Sequence, residues 1–108
     1  MTPLDSLKQR FNRDPLPTRW GSVASDLLRL SSLAHAEKNN SQPFQDVLVE
    51  TKLFTEWLAP EVDTEKQETI LELQRALSQM SNDSKEAEAE AKIWSDKVLK
   101  ISGLLSEG

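Results

Sequence analysis

Apolar side chains recur at alternating three- and four-residue steps along most of this chain, which is the period of an α-helix. The repeat is cleanest near the C-terminal end, where it runs through Ala87, Ala91, Trp94, Val98, Ile101 and Leu105. Runs of β-branched residues are absent, and the whole chain holds three glycines. The pattern therefore predicts an all-α protein.

Helix start and stop signals divide this pattern into five segments. We predict a short N-terminal helix over 2–12, a hinge over 13–18, and four longer helices within 18–105. The longer helices have similar lengths and short connections, which favours antiparallel packing of neighbours. The sequence thus predicts a single helical domain over 1–108, an up-and-down antiparallel four-helix bundle with an additional short N-terminal helix.

The hinge lies in the stretch FNRDPLPTRWG, residues 11–21. Asp14-Pro15 is predicted to stop the first helix, because a residue that precedes proline is disfavoured in the helical conformation. We interpret Leu16-Pro17 as a rigid extended spacer and Thr18 as the cap of the next helix. Trp20 would then pack beneath the first helix.

Three other positions mark helix ends. Thr2 is a capping residue and is followed by Pro3, which suits the first helical position because its missing N–H would have no partner there. Ser41 opens the third helix in the same way. Pro60 is predicted either to end the third helix or to kink it into the next one.

Composition and charge exclude several classes of protein. The 108 residues carry a net charge of −5 and no cysteine, which excludes disulfide frameworks, thiol catalysis and cysteine-based zinc sites. Residues 1–40 hold six basic against four acidic side chains, whereas residues 41–108 hold seven against fourteen. An acidic chain is a poor partner for a phosphate backbone, so we do not expect nucleic acid binding. We see no secretory signal and no membrane span, and we expect a cytoplasmic protein.

Candidate catalytic chemistry is sparse. A di-iron bundle needs Glu-x-x-His pairs, but the one histidine, His35, has a serine at position 32, where the motif requires glutamate. Three scattered glycines cannot build a phosphate loop. The spacing of Arg29 and His35 in RLSSLAH resembles the Arg-x4-6-His signature of the HEPN ribonuclease families, small helical bundles in which an arginine and a histidine from two protomers meet over the RNA phosphate. Six helical steps place these two residues about 240° apart on one helix.

A second resemblance covers most of the chain. At PLPTRWGSVASDLLRLSSLAH, and again in the acidic C-terminal helix, the sequence resembles small uncharacterised helical proteins of cyanobacteria. This resemblance implies a cytoplasmic helical bundle with no assigned activity, and it brings no functional residues with it.

Several predicted helices have apolar stripes wider than one buried face needs, which indicates an interaction surface. We therefore predict a non-enzymatic interaction module that self-associates, for instance as a homodimer, or binds one protein partner. We assign no catalytic residue, cofactor or metal. A HEPN-like ribonuclease using Arg29 and His35 and a small-ligand-binding bundle are the alternatives. The candidate interface residues are Trp20, Leu28, Leu33, Leu53 and Trp57.

Overall fold

The computed structural model describes residues 2–36, 41–80 and 84–102. Within these residues the chain forms five α-helices and no strand, which confirms the prediction of an all-α protein. A short 3-10 turn, Ala59–Glu61, separates the third helix from the fourth. The helices are α1 (Pro3–Arg13), α2 (Leu16–His35), α3 (Gln42–Leu58), α4 (Thr64–Ser78) and α5 (Ser84–Ser102).

Helix α2 packs most extensively against α5, and the two helices run antiparallel. The Ser31 hydroxyl donates a hydrogen bond to the Glu88 carbonyl at 3.1 Å, and the Ser95 hydroxyl donates one to the Ala24 carbonyl at 3.1 Å. Residue numbers therefore rise along α2 in the direction in which they fall along α5. The buried residues Ala24, Ala87 and Ala91, together with these serines, are small and allow the two backbones to approach closely.

Helix α3 packs on another side of α2 and also runs antiparallel to it, since Arg29 of α2 reaches Glu50 while Ser22 and Phe54 line the same groove. Helix α3 does not continue through a kink at Pro60 but ends before it, because the 3-10 turn intervenes and α4 begins as a separate helix after Asp63. The Asp63 carboxylate caps α4 by accepting from the Lys66 N–H at 2.9 Å. One continuous core draws on all five helices, with Phe11, Leu27, Phe44, Ile70 and Val98 among its members.

The hinge is shorter than the sequence predicts. Thr2 caps α1 as predicted and also forms a capping box with Asp5, and only Asp14 and Pro15 separate α1 from α2. Leu16-Pro17 is helical, so the extended spacer was wrong, and Thr18 lies inside the helix it was expected to cap. Proline is tolerated at this second helical position because the N–H it lacks has no intrahelical acceptor there.

Arg19 closes the corner between α1 and α2. Its Nε donates to the Asp14 carbonyl at 2.7 Å, and its Nη2 donates to the Asn12 carbonyl at 2.7 Å. These carbonyls lie at the C-terminal end of α1, where backbone acceptors have no intrahelical donor. A single side chain of α2 therefore caps α1 and fixes the angle between these two helices.

The aromatic ring beneath α1 is not that of Trp20. Phe11 of α1 stacks on Phe54 of α3, with 4.5 Å between ring centroids, and lies 5.9 Å from the ring of Trp57. Trp20 is 3% exposed and lines a pocket with Val62 and other residues near the 3-10 turn and the end of α5. The helical start of α2 at Leu16 turns Trp20 toward this pocket.

Candidate functional site

The five residues predicted as an interface do not form one surface. Trp20 is in the core and presents no surface to a partner. Leu28 is 47% exposed, whereas Leu33 is half-buried and packs against the core. Five helical steps separate these two leucines by about 140°, so they do not share a face of α2. Only Leu53 and Trp57, on α3, form a common surface.

Leu53 and Trp57 extend into an apolar strip along α3. Steps of four residues turn a helix by about 40°, which places Val49, Leu53 and Trp57 on one side of α3. Val49 is 55% exposed, and the other two are half-buried. We call these three residues the α3 outer face.

The two ends of the α3 outer face carry opposite charges. At the Trp57 end, Lys8 of α1 places its Nζ 6.0 Å from the indole ring. Asp46 lies at the other end, one turn before Glu50, and accepts a hydrogen bond from the Gln42 amide at 2.7 Å. The strip therefore runs from an acidic side chain to a basic one over about 16 Å, the length of eleven helical residues.

A second feature lies between α2 and α3, where two carboxyl groups meet one guanidinium. Arg29 Nη1 is 3.2 Å from Asp26 Oδ1 and 3.8 Å from Glu50 Oε2. Asp26 is only 2% exposed. Burial raises the pKa of the Asp26 carboxyl to about 8; the hydrogen bond and the negative charge of Glu50 act in the same direction, and Arg29 opposes them.

This cluster adjoins an open groove of about 580 Å³. The wall formed by α2 is built of small residues, Gly21, Ser22 and Ser25 among them, and Phe54 lines the α3 side. Ser22 and Phe54 also line a neighbouring cavity of about 360 Å³ next to α1. A further concavity of about 670 Å³ is lined by α1 alone, so it lacks the facing walls of a ligand site.

The sequence did not single out Asp26 or Glu50. A signal was present for Asp26, which stands beside the apolar stripe of Val23, Leu27 and Leu30 and has the helical spacing of a residue on its border. Glu50 gave no such signal, because its pairing with Asp26 depends on how α3 packs against α2.

Arg29 and His35 are directed to different helices. Arg29 pairs with Asp26 and Glu50 at the α2–α3 contact, whereas His35 Nδ1 lies 2.9 Å from Glu88 Oε2 of α5. The structure therefore does not bring the two residues of the HEPN-like pattern together within one chain. The ribonuclease alternative stays a prediction.

The part of the chain that the structure describes holds neither a metal-binding cluster nor a membrane-spanning helix. Among residues 2–36, 41–80 and 84–102, no group of three or more histidine, cysteine or acidic side chains is placed to hold a metal ion. In the same part of the chain, no helix has both the length and the hydropathy needed to cross a bilayer.

Comparison with known proteins gave no relative: no protein-family model, no curated protein and no solved structure matches the chain.

Proposed function

We propose that this protein is a non-enzymatic, cytoplasmic helical interaction module that forms a homodimer through the α3 outer face. In this proposal α2 to α5 form an up-and-down four-helix bundle, and α1 packs across one end of α3. The observation that carries the proposal is the alignment of Val49, Leu53 and Trp57 on one accessible side of α3, with Val49 more than half exposed.

The other exposed apolar residues do not support a surface of this kind. Leu4, Leu71 and Ile93 lie on α1, α4 and α5, and Leu16 and Leu28 lie twelve residues apart on α2. Single exposed apolar residues of this kind are ordinary on protein surfaces. The α3 outer face differs because its members follow one another along one helix and include a tryptophan, a residue enriched at protein interfaces.

The charges at its ends favour a second copy of this chain as the occupant. A two-fold dimer presents the same patch from both partners, so each contact occurs twice. If the axis passes near Leu53, two antiparallel copies of α3 place Lys8 of one protomer opposite Asp46 of the other. Both apolar and charged groups are then matched without any additional partner.

The size of the patch predicts a weak dimer. Standard interfaces bury about 800 Å² on each partner, and three apolar side chains with their neighbours provide less than that. We expect dissociation in the micromolar range, where sedimentation velocity resolves a concentration-dependent shift between monomer and dimer.

The test combines one disruption, one matched control and one rescue. Val49→Glu places a charge in the α3 outer face and is expected to give a monomer. Leu71→Glu, at a similar exposure of 53% on α4, is the control and should leave dimerisation unchanged. Lys8→Glu and Asp46→Lys should each weaken the dimer, and the double variant should restore it. A wild-type chain that sediments as a monomer at millimolar concentration would contradict self-association.

A further inference from the structure

The contact between Asp26 and Glu50 contains an unsatisfied acceptor. Asp26 Oδ1 accepts from Arg29, but Asp26 Oδ2 is fully buried and has no hydrogen-bond donor in the structure. The neighbouring side chain is Glu50, which is also an acceptor when ionised. A hydrogen bond between two carboxyl groups requires a proton on one of them.

Arg29 does not remove this requirement. One guanidinium faces two carboxyl groups, and its side chain is 63% exposed, so water screens its charge. Leaving a buried carboxylate oxygen ionised and without a donor is strongly unfavourable. Taking up a proton satisfies Asp26 Oδ2 and removes the repulsion between the two acids at once.

We propose that Asp26 and Glu50 share a single proton that holds α2 against α3, and that losing this proton loosens the contact between these helices. The pair is a pH-sensitive latch within the fold. The open groove beside it, lined by Thr18, Ser22 and Ser25, gives the proton a route to solvent. This inference does not rest on the proposed function, since it concerns the monomer.

The charged side chains around the pair of Asp26 and Glu50 come from α1, α2 and α3. Arg29 faces the pair from α2 and Glu50 belongs to α3. Arg10, Arg13 and Asp14, at the end of α1, line the neighbouring cavity and not the groove beside the pair. Helix α5 packs on a different side of α2, through Ala24 and Ser31. Among these groups, Arg29 is the cation that contacts both carboxyls.

The sign of the pH effect follows from the raised pKa of Asp26. The native state keeps the proton up to about pH 8, whereas the unfolded chain releases it near the ordinary value of 3.8. Between these values the native state binds more protons, so stability falls as pH rises. The ratio of folded to unfolded protein should fall by at most about tenfold for each pH unit.

The experiment measures urea unfolding of the full chain at pH 5, 6, 7 and 8, at concentrations low enough to keep it monomeric. The wild type should lose stability as pH rises. Asp26→Asn should remove most of that slope, because its amide donates to Glu50 at every pH. Asp96→Asn, an exposed acid on α5, is the matched control and should keep the wild-type slope. An Asp26→Asn variant with an unchanged slope would overturn the proposal.

Two further measurements keep the test decisive if a variant fails to fold. The carboxyl carbon of Asp26, followed by NMR in the wild type, should titrate well above pH 6, and titration near 4 would overturn the proposal. Glu50→Gln should move this titration to lower pH, because it removes the negative partner. Specific stabilisation by ammonium chloride at pH 8, over sodium chloride at equal ionic strength, would show that a bound cation replaces the proton and would also overturn it.

Discussion

Helix α2 makes two contacts of opposite character. On the side facing α5, small buried residues allow the backbones to approach closely, and the hydroxyls of Ser31 and Ser95 donate to carbonyls across the contact. On the side facing α3, a groove of about 580 Å³ separates part of the two helices, and charged side chains meet at its edge. The α2–α5 contact leaves no space for added atoms, whereas the α2–α3 contact leaves space for solvent and for the exchange of a proton.

The two sides of α2 therefore have different roles: the side facing α5 stabilises the fold, and the side facing α3 tolerates changes. Close packing gains dispersion contacts and leaves no space for added atoms. A polar contact beside a groove depends on protonation and tolerates changes of shape. We therefore expect substitutions on the two sides of α2 to have very different effects on the free energy of unfolding.

Adding volume at the α2–α5 contact should have the largest effect. Ala91 is fully buried there, and Ala91→Leu inserts three carbon atoms where the backbones are close. We expect a loss of about 3 kcal/mol in the free energy of unfolding, since overpacking a tight core costs roughly 1–3 kcal/mol or more. Urea denaturation measures it. Ala89→Leu, an exposed position on the same helix, is the control and should change little.

Removing one hydrogen bond at the same contact should have a smaller effect. Ser95 is buried and donates to the Ala24 carbonyl. Ser95→Ala removes the donor with little change in volume, and we expect a loss of about 1 kcal/mol, the usual net value of such a bond. Thermal and urea unfolding should agree on it. A stability equal to wild type would show that this hydroxyl does not help to hold the two helices.

Adding volume on the groove side should have the smallest effect. Ser25 is exposed and lines the groove between α2 and α3. Ser25→Leu adds about as much volume as the change at Ala91, but the groove can receive it. We expect the free energy of unfolding to stay within about 0.5 kcal/mol of wild type. A loss as large as that of Ala91→Leu would remove the contrast between the two sides.

Local interactions explain the part of this fold that could be predicted from the chain. The capping box of Thr2 with Asp5 and the cap of Ser41 on the Phe44 N–H act over three residues, so they can be recognised directly. Most of the stripe of α5 was also predicted correctly, since Ala87, Ala91, Trp94 and Val98 are all buried, whereas Leu105 lies outside the described residues. The predicted start of α2 at Thr18 was wrong, because proline is compatible with the first turn of a helix and Pro17 lies within it.

The candidate surfaces were predicted less well than the helices. Trp57 and Leu53 do lie together on α3, but the expectation that Trp20, Leu28 and Leu33 join them ignored the direction in which each side chain leaves α2. The carboxyl pair could not be found from spacing at all, because Asp26 and Glu50 lie on different helices and meet only when those helices pack.

The all-α class, the order of the helices and most of the core residues could be predicted from the chain, because helix period and capping depend on neighbours within a few positions. The burial of Trp20, the capping of α1 by Arg19 and the approach of Asp26 to Glu50 could not be predicted in this way. Each of these depends on contacts across a corner or between helices, where burial and distance are set by packing and no local pattern records them.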